Sequence, residues 1–317
     1  MPVEQLSDTL VATTRAMASA ITIKVPRTSL GVVASQRILD EALQVFHDVH
    51  ETCTRFDPTS PLMRTNATPT RRHRVPALLF DALFEAFDAY QRTNGVFDPR
   101  VVRQLVTLGY DATLRFDDES ALDGHVAPMP VRGAWRPRFR ASKCDVWLSE
   151  PVDLGGIGKG LAVRWASDVL AAHTKDFLVE AGGDCYLAGR APDGETWRVG
   201  VEDPFGSETP LAVLSVSDRA VATSSTRLRH WRVGDRRVHH LIDPRTGASG
   251  GEGLVAVTVV GHDPAVAEVD AKVLFLAGRD EIASDARDGD IAALWCDDEG
   301  RVGVSDAMAP FVIWERP

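Results

Sequence analysis

Apolar and polar positions along this chain repeat at two periods, and where one period gives way to the other marks most of the predicted elements. Residues 20–25, Ala20-Ile-Thr-Ile-Lys-Val25, alternate and are β-branched, which predicts a first strand ended by Pro26. Over residues 36–53, Ile38, Leu39, Ala42, Leu43, Val45, Phe46 and Val49 recur at helical spacing and predict an amphipathic helix. Residues 54–66 read as a loop punctuated by Pro58 and Pro61. A second helix is predicted over 75–92, with Pro76 near its first turn and an Asn94-Gly95 turn beyond its end. Residues 111–150 are less patterned and predict several short strands, one of them an extended run over 144–149. A third helix follows over 161–173, then a strand over 177–187 broken by Gly182, Gly183 and Asp184. Strands are predicted over 197–201, 210–216, 220–223, 237–242 and 254–260, a helix over 265–276, and closing strands over 291–296 and 302–305. No repeat, low-complexity segment or interdomain linker interrupts the series. The expectation is one mixed α+β domain over residues 1–317.

Composition narrows the function classes. With 44% hydrophobic and 25% charged residues, the 317-residue chain has the make-up of an ordinary globular protein. A net charge of −10 argues against a nucleic-acid surface, which needs clustered Lys and Arg. The one basic run, Arg71-Arg-His-Arg74, is short and flanked by Pro69 and Pro76, so it reads as a solvated loop. Cys53, Cys144, Cys185 and Cys296 form no CxxC pair and read as reduced thiols rather than a disulfide or zinc framework. No basic n-region with an apolar core opens the chain, and no apolar run is long enough to span a membrane. A cytoplasmic protein with no membrane partner is the expectation.

Candidate chemistry gathers on turns. In Asp153-Leu-Gly-Gly-Ile-Gly-Lys-Gly-Leu-Ala-Val-Arg164, four glycines surround Lys159 at the start of a predicted helix. Glycines let backbone N–H groups approach a phosphate, and a helix start offers unpaired N–H groups and the positive dipole end. The spacing fits neither a Walker loop nor a dinucleotide fingerprint, so the stretch alone fits a phosphate-bearing ligand or a plain tight turn. Companion turns of similar character lie at 96–99, 181–184, 221–225 and 239–247. In the last, His240 and Asp243 stand three residues apart at a strand end with Arg245 behind them, a pairing able to bind a ligand or move a proton. Zinc held by His239 and His240 is disfavoured, because adjacent strand residues face opposite ways.

Taken in order, MASAITI (17–23), TRFDPTSPLMRTN (54–66), TNGVFDPR (93–100), DLGGIGKGLAV (153–163), VEAGGD (179–184), AVATSS (220–225) and HHLIDPRTG (239–247) resemble the ApbE family of FAD:protein FMN transferases. The resemblance is strongest over residues 17–278. It implies a single mixed α+β fold related to the T-fold, and an enzyme that moves FMN from FAD onto a Thr or Ser hydroxyl of an acceptor flavoprotein, releasing AMP with help from Mg²⁺. It implies further that Met17, Phe56, Val96, Phe97 and Asp98 line the flavin-nucleotide pocket. Gly155, Lys159 and Leu161 match the loop holding the FAD diphosphate, with His240 and Leu241 beside it. His240 and Asp243 match the segment tied to catalysis, and the Gly158 carbonyl matches a magnesium ligand.

This sequence departs from the family pattern at the remaining metal positions. Alignment on Leu274-Phe275 and Gly278 puts Glu268 where the family has a ligating aspartate and Lys272 where it has a ligating threonine. Residues four apart share a helix face, so both are expected to point into one site. Glutamate can ligate Mg²⁺, whereas a charged lysine cannot. Either Lys272 swings away or pairs with Glu268 and a weaker metal site survives, or its ammonium replaces the metal as a fixed cation, with FAD still bound and transfer slow or absent. The alternative function is then an FAD-binding protein of the same fold with lost or altered transfer. Ser225 and Glu180 also replace the family's usual glycine and asparagine.

Overall fold

The computed structural model describes residues 3–6, 9–26, 32–112 and 133–316. Its centre is a nine-stranded sheet whose strand order follows the chain. The strands are β1 (Val3–Leu6), β2 (Thr9–Ala16), β3 (Ser19–Pro26), β4 (Phe177–Ala181), β5 (Asp184–Ala188), β6 (Arg219–Ser225), β7 (Leu254–Gly261), β8 (Ala292–Asp297) and β9 (Val302–Val304). Every neighbouring pair is antiparallel. The helices are α1 (Val32–Cys53), α2 (Pro61–Ala67), α3 (Ala77–Arg92), α4 (Val102–Thr107), α5 (Gly158–Ala171), α6 (Pro264–Ala277) and α7 (Ile282–Asp288).

Alternation along the strands sorts side chains between two layers. Ile21, Ile23 and Val179 face α1 and α5, while Ala220, Ala222, Val257 and Val259 face α6 and α7. The intervening Val221 and Val260 face the other way, onto a small sheet formed by Trp197–Val201, Ala212–Val216 and Val312–Glu315. A further cluster built from α3, Phe97, Trp135, Leu154, Ile157 and Leu161 covers the start of α5. It is this cluster that fixes the glycine-rich turn against the helices.

Several boundaries differ from the sequence reading for identifiable reasons. Two strands precede the predicted first one; in β2, residues 9–12 are all buried, so the period-2 signal is absent. The predicted loop 54–66 contains α2, whose Ser60 cap accepts the Met63 N–H at 3.1 Å with Pro61 in the first turn. The interrupted strand 177–187 is the hairpin of β4 and β5, with Gly182 and Gly183 as its turn. Instead of one strand over 237–242 there is a second hairpin, His230–Val233 with Arg236–His239, which leaves His240 outside the ladder. In the basic run, His73–Arg74 pairs with Val146 and Asp145 rather than looping freely. Of the less patterned stretch 111–150, residues 113–132 lie outside the described residues, while Arg138–Arg140 and Asp145–Trp147 are short strands as expected. Among the described residues no helix is long and apolar enough to cross a membrane.

Candidate active site

The site forms where four connections meet: the Met17–Ala18 turn, the Gly182–Gly183 turn, the segment after His239, and the glycine-rich turn entering α5. That helix begins at Gly158, three residues before the sequence reading placed it, so Lys159 lies in its first turn. Gly160 lets α6 approach: a Cβ there would stand 2.5 Å from the Pro264 carbonyl oxygen and 2.6 Å from Ala265 Cα. This close approach carries Glu268, 2% exposed, to the start of α5, where one carboxylate oxygen accepts the Gly160 N–H at 2.7 Å. The other accepts from Lys272 Nζ at 3.0 Å, and Nζ lies 3.4 Å from the Glu268 carbonyl oxygen. A helix N-terminus favours such a carboxylate.

Lys159 turns the other way and pairs with Asp184, which also accepts the Thr223 N–H at 3.0 Å. Burial pulls the Lys159 ammonium down to about 8; Glu268 opposes this, while Lys272 and Arg229 add to it. Glu268 moves in the opposite sense to its burial: Lys272, Lys159 and the Gly160 N–H hold it below the ordinary carboxylate value. His240 hydrogen-bonds through its ring and main chain to the Arg229 carbonyl, each at 3.3 Å. Since a carbonyl only accepts, Nδ1 carries the proton and Nε2 keeps its lone pair. Burial, with Arg229, His239 and Lys272 nearby, holds His240 well below 6.5, so the ring is neutral at pH 7.

Of the residues the sequence singled out, Met17, Phe97, Gly158, Lys159, Glu268 and Lys272 come together. A Cβ on Gly158 would meet Met17 Cε at 3.4 Å, and one on Gly156 would meet Phe97 Cε2 at 2.9 Å and Lys272 Cε at 3.5 Å. His240, bonded to the Arg229 carbonyl at 3.3 Å, lies near enough to Lys272 and Arg229 for their charges to lower its pKa. Gly155 lies in the same turn, held by Asp153 at 2.8 Å. Val96 precedes Phe97, while Asp98 is tied to Arg100 at 2.7 Å and caps a short turn. Phe56 stacks instead on Arg55, whose guanidinium carbon is 4.2 Å from its ring centroid, and beside Tyr110. Leu161 and Leu241 are core residues in separate clusters. The Asp243 carboxylate is held by Arg245 at 2.9 Å and accepts the Arg245 N–H at 2.8 Å, which closes its own turn. Sequence reasoning omitted Asp184 and Arg229 as site residues. The Gly-Gly-Asp turn could have signalled the first, whereas Arg229 sits in an irregular segment with no signal.

The donor set does not fit a divalent ion. Both Glu268 oxygens already accept hydrogen bonds, one of them from an ammonium. A dication about 3 Å from that ammonium would meet repulsion on the order of 10 kcal/mol at an effective dielectric near 20.

Comparison with known proteins bears on the family and the fold. The sequence matches the model of the ApbE family over residues 17–295. The FAD:protein FMN transferase of Chlamydia trachomatis is 27% identical over 249 residues, covering 76% of this chain and 76% of the relative. That of Vibrio cholerae is 25% identical over 289 residues, covering 89% of this chain and 86% of the relative. Among solved structures, the ApbE protein from Thermotoga maritima superposes with a TM-score of 0.79 at 24% identity, covering 97% of this chain and 99% of that one. The last likeness establishes the mixed α+β architecture as the ApbE fold. With the family model matching most of its length, the chain belongs to the ApbE family.

Proposed function

We propose that this protein is an FAD:protein FMN transferase, which moves FMN from FAD onto a Thr or Ser hydroxyl of an acceptor flavoprotein and releases AMP. The observation that carries the reading is the meeting of Lys159, Lys272, Arg229 and neutral His240 beside Met17 and Phe97 at the start of α5. An apolar wall beside clustered cations suits a flavin joined to a diphosphate. In the transfer, the acceptor oxygen bonds to the FMN phosphorus and the bond from that phosphorus to the bridging oxygen breaks. AMP leaves with the bridging oxygen, and the hydroxyl proton passes to a base. Nε2 of His240, with its lone pair free, is the group offered for that proton. Lys159 and Arg229 face the charge that spreads over the phosphate oxygens. No step of this reading runs through a divalent ion.

The experiment incubates the purified chain with FAD and the protein acceptor of the Vibrio cholerae relative. AMP is measured by chromatography and covalent flavin by fluorescence on a denaturing gel. Wild type should give both products and His240→Ala neither, with FAD still bound. The Glu268–Lys272 pair favours a second reading, an FAD binder without transfer; intact FAD held by the wild type, with no AMP formed, would establish it.

A further inference from the structure

We propose that the Lys272 ammonium is the fixed cation of this site, standing where a divalent ion would otherwise be held, so that the chain binds the FAD diphosphate without metal. The inference rests on the reading that the site takes FAD.

Three features fix the ammonium in place. Lys272 lies one helical turn beyond Glu268 on α6, so the two share a face by construction. Its stem runs past the glycine-rich turn, where a Cβ on Gly156 would be 3.5 Å from Lys272 Cε and 3.6 Å from Cδ. Its Nζ hydrogen-bonds to the Glu268 carboxylate at 3.0 Å and lies 3.4 Å from the Glu268 carbonyl oxygen. Glu268 itself cannot swing toward a metal without giving up the Gly160 N–H at 2.7 Å.

The ammonium also has a donor to offer. A lysine ammonium carries three N–H groups, and the two contacts on α6 use two. The Lys272 side chain is 16% exposed against 2% for Glu268, so its free donor is the part of the pair that reaches the open side. A single positive charge falls short of the two that a divalent ion brings. Arg229 is the candidate for the second: its carbonyl accepts from both the His240 ring and the His240 N–H at 3.3 Å, and it has no carboxylate partner among the described residues. Lys159 is paired with Asp184, as Lys272 is with Glu268.

The test titrates FAD into wild type, Lys272→Met, Lys272→Arg and Lys272→Thr, each with EDTA and with Mg²⁺, by flavin fluorescence and calorimetry. Wild-type Kd should agree within about twofold in the two buffers, and Lys272→Met should weaken binding roughly tenfold or more in both. Lys272→Arg should stay within about fivefold of wild type, which separates lost charge from lost folding. Lys272→Thr should bind weakly in EDTA and recover at least roughly tenfold with Mg²⁺. A wild type that loses about tenfold in affinity on adding EDTA overturns the inference, as does a folded Lys272→Met that binds FAD like wild type. Mn²⁺ titrated into the flavin-free chain keeps the two readings apart. Saturable Mn²⁺ binding by wild type, abolished in Glu268→Gln, refutes the fixed cation whatever FAD does. Failure of FAD to bind in either buffer refutes the substrate reading, and this inference with it.

Discussion

Gly160→Ala separates two opposed expectations about the start of α5. Helix propensity alone makes the alanine variant more stable, by up to about 1 kcal/mol. The structure opposes this, because the added methyl would lie 2.5 Å from the Pro264 carbonyl oxygen and 2.6 Å from Ala265 Cα, both backbone atoms of α6. Ordinary contact needs about 3.5 Å, so the helices must part by roughly 1 Å. Overpacking of this kind costs roughly 1–3 kcal/mol. Parting the helices also stretches the Gly160 N–H···Glu268 hydrogen bond, now 2.7 Å, and a hydrogen bond to a charged group contributes about 1.5–3 kcal/mol. The net expectation is a loss of about 3 kcal/mol, read as a lower urea midpoint at unchanged slope. Glu268→Gln is the companion variant: it can still accept the Gly160 N–H but loses the charge that pairs Lys272. A Gly160→Ala protein as stable as wild type, or more stable, would refute the close-approach argument and remove the reason for Glu268 to stand at the helix start.

Two further outcomes follow from the charges around this point. Asp184→Asn leaves the carbonyl that accepts the Thr223 N–H but strips Lys159 of its partner, and removing one member of a buried pair should cost about 3 kcal/mol in denaturant melts. His239 is held down to about 4 by burial, against an ordinary 6.5, and its Nδ1 accepts the Leu241 N–H at 3.3 Å. Between those values the unfolded chain binds more protons than the folded one, so stability rises with pH across the window and is lost as pH falls through it. At roughly 1.4 kcal/mol per pH unit the loss approaches about 3 kcal/mol. His239→Gln should remove about one proton from the pH dependence of the melting curves; a slope unchanged from wild type would show that His239 does not titrate there.

How much of this was legible in the sequence depended on whether the deciding interaction was local. The last long helix, α6, was read within a residue at each end, because Asp263, Pro264 and Gly278 are start and stop signals carried by neighbouring residues. The α2 helix carried similar signals in Ser60 and Pro61, yet two prolines in a polar stretch argued for a loop. The pairing of the His230–Val233 hairpin was illegible, since one run of Arg, Val and His fits a longer strand equally well. At the site, the four-residue spacing of Glu268 and Lys272 correctly placed both on one face. Asp243 was expected in the catalytic segment, and its carboxylate is hydrogen-bonded by Arg245 in its own turn. Nothing nearby in sequence announces that engagement, because Arg245 reads equally well as a ligand for phosphate.

The larger revision concerns what the glycines are for. Read locally, four glycines before a helix offer N–H groups to a phosphate. In the folded chain the Gly158 N–H bonds to the Leu154 carbonyl at 2.8 Å, and the Gly160 N–H bonds to Glu268, a residue 108 positions away. The anion at the start of α5 is therefore one the protein supplies itself, and a second anion there would face a buried carboxylate. On the proposed FAD reading, recognition of phosphate would pass from backbone to side chains: Lys272, drawn in by that carboxylate, and Lys159 and Arg229 beside it. Glycine at 160 permits the helix approach that brings Glu268, and Glu268 in turn fixes Lys272. On the proposed reading, the sequence feature that suggests a phosphate loop and the lysine at the expected metal-ligand position are two ends of one arrangement, because each would leave a diphosphate to be met by lysine and arginine.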